Sequence, residues 1–578
     1  MINMVPVRAI ALLCLAVLAS LVFGACSRSA GSAVPAPAPN EAPQYGGELN
    51  VGSIYVTLSA LSWDPADWTW KSNHDAGSVR ELLFAADLGT ARRNGGPNAF
   101  TADVFIPEDA LRGELAESWE WEDPLTLVVH LRHGVMFPDK PGVMKSREFV
   151  ADDVLFTFDY IQKSPKRIKS YLDFIERIEA RDDHTVVFHF SKFNTEWPYR
   201  IGYGYYTSIL PREMAKVEQS DWRTVTGTGP FSLDRYVSGN VQSFARNPDY
   251  WDSETLAGKD HQLPFVDRVT YRIIKDEATY LTALRTGKLD ILEAIRWINV
   301  DQLKKSTPEL RWNRWLAPQG MFIALRTDQK PFDDVRIRRA LNIAVNKQEI
   351  VSLYYGGHAE MMAFPQHPDF GPYFQTLENM PASVRELFVY DPDKARRLLA
   401  EAGLPEGFEI TVQVCSCTSD HMDLLPLITR YWEQIGVRVK IQPMEYASFL
   451  SAMTTKTHAA GYMLNTGVVS PTSTLRKNFQ TDQLWNPAMV SDPDLDARLD
   501  RMFETRDEAE RVTLARDLTL EMLDAAPYVW LPTPYGHTAW WPWVKNYGGE
   551  LRAGAVRPGP IYARVWIDQE MKRELGFR

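Results

Sequence analysis

The order of elements along this chain predicts a mixed α/β protein built as two lobes, each with its own sheet. Three observations carry that reading. Apolar residues recur with period two in some segments and with a helical period in others, the two kinds of segment interleave, and 578 residues exceed what a single core usually serves. Leu125, Leu127, Val129 and Leu131 alternate with Thr126, His130 and Arg132, which predicts a half-buried strand. Ala151 to Ile161 predicts a helix, with Asp152 and Asp153 in the first turn, where the helix dipole favours acids. Gly227-Thr228-Gly229-Pro230 is a turn whose glycines supply conformations that a side chain would penalise. Val269, Tyr271 and Ile273 then alternate with Arg268, Thr270 and Arg272 as a second strand. Asp276 caps a helix that stops near Gly287, and Asp333 caps another running through Val345. Asn346 with Glu349 forms a capping box, and Asp391-Pro392 places a cap before a proline in the first helical turn, with Gly403 ending that helix. Phe408 to Val414 predicts a strand, Asp423 to Ile435 a helix closed by Gly436, and Val437 to Ile441 a further strand.

The N-terminus speaks to compartment. A short segment bearing Arg8 precedes the apolar run Ala9 to Phe23, which has the length of a signal-peptide core and is short for a bilayer-spanning helix. Leu21-Val22-Phe23-Gly24-Ala25-Cys26 resembles a bacterial lipobox, so residues 1–26 are expected to be a lipoprotein signal peptide with Cys26 as the lipidated residue. The alternative is an ordinary signal peptide with an incidental cysteine. Residues 27–44 are rich in Ser, Ala, Pro and Gly and read as a flexible tether. A net charge of -11 argues against nucleic acid as a partner. Of the 4 cysteines, only Cys415 and Cys417 fall in the body of the chain, so there is no disulfide framework.

Several phrases of the sequence resemble one family. Gly227-Thr228-Gly229-Pro230-Phe231, Arg246-Asn247-Pro248-Asp249-Tyr250-Trp251 and Val266-Asp267-Arg268-Val269 resemble the family 5 solute-binding proteins. These are the extracytoplasmic receptors of peptide, oligopeptide, nickel and related ABC importers. Tyr45-Gly46-Gly47, Leu115-Ala116-Glu117-Ser118-Trp119 and Phe149-Val150-Ala151-Asp152-Asp153 resemble the family's N-terminal signature. Pro331-Phe332-Asp333-Asp334-Val335 and Lys394-Ala395-Arg396-Arg397-Leu398 resemble its second-lobe motifs. The resemblance implies a bilobed, periplasmic-binding-protein-like fold of type II: a three-domain large solute-binding protein with two mixed-sheet lobes and a hinge. Domain I would comprise residues 45–84, 205–318 and 534–578, domain II residues 85–204, and domain III residues 319–533.

What the resemblance implies for function is capture of an oligopeptide or dipeptide by hinge closure and delivery to the transmembrane subunits of an ABC permease with their ATPases. The protein would be a monomer without catalysis, cofactor or metal, lipid-anchored at the periplasmic or extracellular face of the membrane. Peptide-binding members commonly hold the ligand's α-amino group with an Asp in a Trp-rich segment before a Pro. The corresponding stretch here, Gly461 to Pro471, has neither, and no acid occurs from Tyr446 through Thr481. A desolvated ammonium needs a compensating charge, so a free peptide N-terminus is either held elsewhere or is not the ligand. An oligosaccharide or another non-peptide solute is the alternative, motivated by 18 tryptophans, among them Trp312, Trp315 and the Trp540-Trp541-Pro542-Trp543 cluster. The candidate ligand contacts are Trp63, Arg296, Trp297, Tyr462, Asn465, Thr466 and Trp485.

Cys415-Ser416-Cys417 is open to three readings: free thiols, a local disulfide or part of a soft-metal site. A closed zinc site would need a second ligand pair that the sequence does not offer nearby. His130 and His133, three apart at a strand end, read as incidental. There is no Gly-x-Ser-x-Gly, His-Glu-x-x-His, Walker loop or dinucleotide fingerprint, which leaves a hydrolase or a sensor partner as the less favoured classes.

Overall fold

The computed structural model describes residues 41–53, 63–66, 70–102, 104–165 and 171–577, with backbone only at 70–72. Cys26, the lipobox and the tether up to residue 40 lie outside the described residues. Three sheets of eight, five and four strands carry the architecture.

The eight-stranded sheet runs Phe231–Val237, Val241–Arg246, Arg268–Ile273, Glu48–Ser53, Ile291–Ile295, Thr533–Trp540, Arg311–Leu316, with the short strand Ala359–Glu360 added beside Thr533–Trp540. Its centre is parallel. Glu48–Ser53 pairs in parallel with Arg268–Ile273 on one side and with Ile291–Ile295 on the other. The two parallel strands that flank Glu48–Ser53 are joined by a crossover through the helix Glu277–Arg285, capped by Asp276, whose side chain accepts from the Thr279 N–H at 2.8 Å. The centre of the sheet buries Val269, Tyr271 and Leu49. Thr270, on the opposite face, is also buried and shares a hydrogen bond with Ser243 at 2.7 Å.

The four-stranded sheet, Ala116–Asp123, Thr126–Leu131, Thr185–Phe190, Ile175–Asp182, is wholly antiparallel. Its second strand is buried on both faces, Thr126 and Val128 included, because it is central rather than peripheral. The helix Ala151–Lys163 follows it. Asp153 in its first turn accepts from the Val150 N–H at 3.1 Å and takes both arms of the Arg147 guanidinium at 2.8 and 2.7 Å.

The five-stranded sheet, Arg438–Met444, Glu409–Cys415, Gly461–Gly467, Gln319–Leu325, Tyr528–Trp530, forms the other lobe and encloses a core that includes Phe322, Trp432, Tyr462 and Tyr528. Asp391 caps Pro392–Glu401 as its proline predicts. The cap of Val335–Ile343 is Asp334, one residue beyond the Asp333 expected from sequence, and its side chain accepts from the Arg336 N–H at 2.8 Å. Cys415 and Cys417 are joined by a disulfide.

Gly227 and Gly229 are needed for a different reason than the sequence suggests. Neither has a positive φ. Instead the chain passes so close to residues 78–80 that a Cβ at Gly227 would lie 2.3 Å from the Val79 carbonyl oxygen, and one at Gly229 would lie 2.7 Å from it. The tryptophan cluster is interior: Trp540, Trp541 and Trp543 are buried, Trp541 stacks on Trp543 at 4.5 Å, and the Trp543 indole donates to Asp290 at 2.8 Å.

Two short chain crossings, of two residues each, join strands of the eight- and five-stranded sheets directly. One is Ala317-Pro318, between Arg311–Leu316 and Gln319–Leu325; the other is Leu531-Pro532, between Tyr528–Trp530 and Thr533–Trp540. They run side by side, tied by the Ala317 N–H donating to the Pro534 carbonyl at 3.1 Å.

Candidate ligand-binding site

Ligands of open α/β sheets bind at the carboxyl ends of the parallel strands, where side chains converge and strand backbones end. A cavity of about 190 Å³ lies there. Val51, Gly52 and Ser53 come from the end of Glu48–Ser53, Tyr271 from Arg268–Ile273, and Glu293 with Ala294 from Ile291–Ile295. The first crossing supplies Ala317 and Pro318, and Gln319 opens the strand after it, so one wall is the interlobe crossing itself. His74, Trp315, Leu551, Arg552 and Tyr562 complete the lining. Ala294 has a φ of 57°, a left-handed conformation that non-glycine residues seldom adopt and that concentrates at functional sites. The same residue interrupts the pairing with Thr533–Trp540, whose register shifts between Leu292 and Ile295.

The electrostatic centre of the cavity is Glu293. Arg552 Nη1 lies 3.2 Å from one carboxylate oxygen, and the Tyr562 hydroxyl donates to the other at 2.8 Å. Burial, reinforced by the Glu293 charge, raises the Tyr562 pKa well above its ordinary value, so the phenol stays a donor. Tyr271 is raised in the same way, by burial first and Glu293 second. The Trp315 indole donates to Thr538 Oγ1 at 3.1 Å, which fixes the plane of its ring at the cavity wall. The wall therefore offers one carboxylate, one guanidinium, phenolic donors and aromatic faces.

None of the contacts expected from sequence lines this cavity. Arg296 and Trp297, just beyond the Glu293 strand, face the other lobe. Arg296 pairs with Asp420 at 2.7 Å, with Asp423 at 3.6 Å and with Glu277 at 3.7 Å, while Trp297 packs against Tyr354, Tyr355 and His358. Trp63 is buried edge-on to Tyr236 at 5.1 Å, and its carbonyl accepts from Arg80 at 2.7 Å. Tyr462 is fully enclosed in the second-lobe core, stacked on Phe449 at 4.3 Å with its hydroxyl donating to the Phe449 carbonyl at 2.5 Å. Thr466 is buried on the same strand. Asn465 comes nearest: its amide donates to Gln319 Oε1, directly behind the cavity wall. Trp485 carries the Lys477 ammonium over its ring at 4.8 Å, and burial lowers that lysine to about 7.

The residues missed left uneven traces. Glu293 lies midway along Ile291–Ile295, and an acid inside so short an apolar segment was a usable signal. Arg552 and Tyr562 lie in a segment of short helix and loop, 259 and 269 residues from Glu293, with no local pattern to mark them.

Two sheet-built lobes joined by paired crossings, with a polar cavity against the hinge and the carboxyl ends of parallel strands, define a two-lobed solute receptor. The chain belongs to the bacterial extracellular solute-binding proteins of family 5, whose middle-region model matches residues 110–486. Among curated relatives, it is 29% identical over 417 residues to the di/tripeptide-binding protein 1 of Pseudomonas aeruginosa, spanning 68% of this chain and 71% of that protein. It is 27% identical over 561 residues to the heme-binding protein A of Haemophilus influenzae, spanning 92% and 95%. Among solved structures, the fold matches the periplasmic binding protein DppA of Helicobacter pylori, a complex with the peptide STSA. The TM-score is 0.73 at 24% identity, over 91% of this chain and 99% of that one. No helix among the described residues is long and apolar enough to cross a membrane.

Proposed function

We propose that this chain is the extracytoplasmic receptor of an ABC importer and captures a short peptide by hinge closure, with Glu293 holding the ligand's ammonium and Arg552 its carboxylate. The observation that carries this is the Glu293–Arg552 pair, 3.2 Å apart on the wall of an aromatic-lined cavity against the interlobe crossing. A ligand with one cationic and one anionic end replaces that internal pair with two external ones, so neither protein charge is left buried and unpaired. The carboxylate that the second lobe lacks between Tyr446 and Thr481 is thus supplied by the first. A cavity of about 190 Å³ is smaller than the ~300–1,000 Å³ of drug-sized ligand sites, which favours a dipeptide-like ligand over an oligosaccharide. The peptide named for the Pseudomonas relative supports the same reading.

The domain boundaries given above suit this mechanism, with domain I at 45–84, 205–318 and 534–578, domain II at 85–204 and domain III at 319–533. No bond of the ligand is broken; closure alone commits it to the permease. The receptor works as a monomer, held at the membrane by a lipid on Cys26, and the tether after it keeps the receptor near its permease.

The test is calorimetric titration with free dipeptides, their N-acetylated forms and oligosaccharides. Free dipeptides are expected to bind and N-acetylated ones to lose most of that affinity. Glu293→Gln should weaken free dipeptides by roughly 1.5–3 kcal/mol, the worth of a hydrogen bond to a charged group. Oligosaccharide binding that survives Glu293→Gln would overturn the peptide assignment.

A further inference from the structure

We propose that His133, Glu148 and His184 form a divalent transition-metal site on the lobe built around the four-stranded sheet, away from the ligand cavity. The three side chains arrive from separate pieces of chain. His133 sits in the turn after Thr126–Leu131, just before Gly134, whose φ of 72° bends the backbone. Glu148 ends the short strand Arg147–Glu148, and His184 lies in the turn between Ile175–Asp182 and Thr185–Phe190. Backbone groups hold two of them in place. The Leu131 N–H donates to the His184 carbonyl at 2.7 Å, the His184 N–H donates to Asp182 at 2.8 Å, and the Gly134 N–H donates to Glu148 Oε1 at 2.5 Å.

One ligand atom from each of the three residues lies within 4.8 Å of the others. The two imidazoles are in ring contact, centroids 3.8 Å apart and tilted by 37°. His184 Nε2 stands 3.9 Å from Glu148 Oε1, beyond hydrogen-bond reach. Two ligands on one tetrahedral zinc, with bonds of about 2.0–2.2 Å, lie about 3.4 Å apart. The His184–Glu148 separation of 3.9 Å is already close to that spacing, and the widest separation the cluster allows, 4.8 Å, closes to it by side-chain rotation of about 1.4 Å. An ordinary histidine–carboxylate pair looks different on this same sheet: His189 bonds Glu179 at 3.2 Å through one nitrogen and Thr126 at 3.3 Å through the other. By contrast, the enclosed Nδ1 of His184 has no protein partner.

Two imidazoles and one carboxylate suit zinc and its late first-row neighbours rather than calcium or magnesium, which prefer all-oxygen sets. Three protein ligands leave a fourth position for water. The site ties together the loop after Thr126–Leu131, the strand Arg147–Glu148 and the 182–185 turn. Metal would thereby stabilise this lobe, since binding to the folded state alone raises its stability. None of the three residues lines the ligand cavity.

The experiment uses the full chain without a polyhistidine tag, stripped of metal and titrated with Zn2+ alone, by calorimetry and by competition with a chromophoric chelator. One equivalent is expected, with a rise in melting temperature. His133→Ala, His184→Ala and Glu148→Gln should each weaken binding by roughly tenfold or more. His130→Ala, which removes the neighbouring histidine paired with Glu120 at 3.7 Å, should leave it unchanged. Melting curves of the metal-free variants establish that each is folded. No saturable binding by the wild type overturns the proposal. So does Zn2+ binding that survives His133→Ala combined with His184→Ala, because the metal is then held elsewhere.

Discussion

Glu196→Ala is expected to separate the two lobes and to weaken ligand binding by about tenfold to a hundredfold. Glu196 belongs to the segment after the four-stranded sheet, yet its carboxylate is buried against the other lobe at the start of the helix Pro471–Phe479. It accepts from Thr472 Oγ1 at 3.2 Å, from the hydroxyls of Ser470 and Ser473, and from Arg200 at 3.0 Å within its own lobe. A carboxylate at a helix N-terminus also meets the positive end of the helix dipole. Breaking one partner of a buried charged pair costs about 3–5 kcal/mol, and here the interlobe part of that cost falls on the closed arrangement alone. If ligand binds the closed state, its apparent affinity falls with that state's population. Calorimetry and the radius of gyration in solution check this together: both should change in Glu196→Ala, and Glu196→Gln, which keeps an acceptor for the hydroxyls, should fall between. Unchanged affinity and unchanged dimensions would remove Glu196 from the closing mechanism.

The contrast between Glu196 and Glu293 shows what the sequence made legible. Local chemistry was readable because it is local: Asp276 and Asp391 cap the helices their neighbours announce, and Gly403 and Gly436 take the left-handed conformations expected of helix ends. The mixed α/β class followed from the same periodicities. Features set by distant parts of the chain were not readable. Nothing around Gly229 reveals that residues 78–80 pass beneath it, and nothing around Arg552 reveals that it meets Glu293. The tryptophan cluster is decided by distant partners too: the Trp541 indole donates to the Leu284 carbonyl at 2.8 Å and the Trp543 indole to Asp290 at 2.8 Å, so both rings are held inside rather than offered to a ligand. Nor does anything around Arg296 announce that its guanidinium meets Asp420 of the second lobe, at 2.7 Å.

Arg557→Met is expected to cost about 3–5 kcal/mol of stability and most of the ligand affinity with it. Arg557 and Glu114 are both almost wholly buried and form a two-armed pair at 2.8 and 3.0 Å. The same guanidinium donates to the Arg80 carbonyl at 3.0 Å. It thereby locks the segment that carries Arg552 and Tyr562 onto the large lobe, so the loss propagates to the cavity wall. The acid left behind would lose its buried counter-charge, and a second acid, Glu81, lies close by. Burial first, and the Glu114 charge second, push the Glu81 carboxyl up to about 8, and it sits among the Tyr250 hydroxyl and the Trp251 indole, each at 3.0 Å. A folded-state pKa above the ordinary 4.5 means that the folded protein keeps a proton which the unfolded chain releases. The stability contributed by Glu81 is therefore present below about 4.5 and is lost as pH rises towards about 8. Urea midpoints of the wild type should accordingly decline across that window, and Glu81→Gln, neutral at every pH, should flatten the decline. A wild type and a Glu81→Gln variant with the same pH slope would place the buried proton on another group, and Arg557 would then balance two charges rather than one.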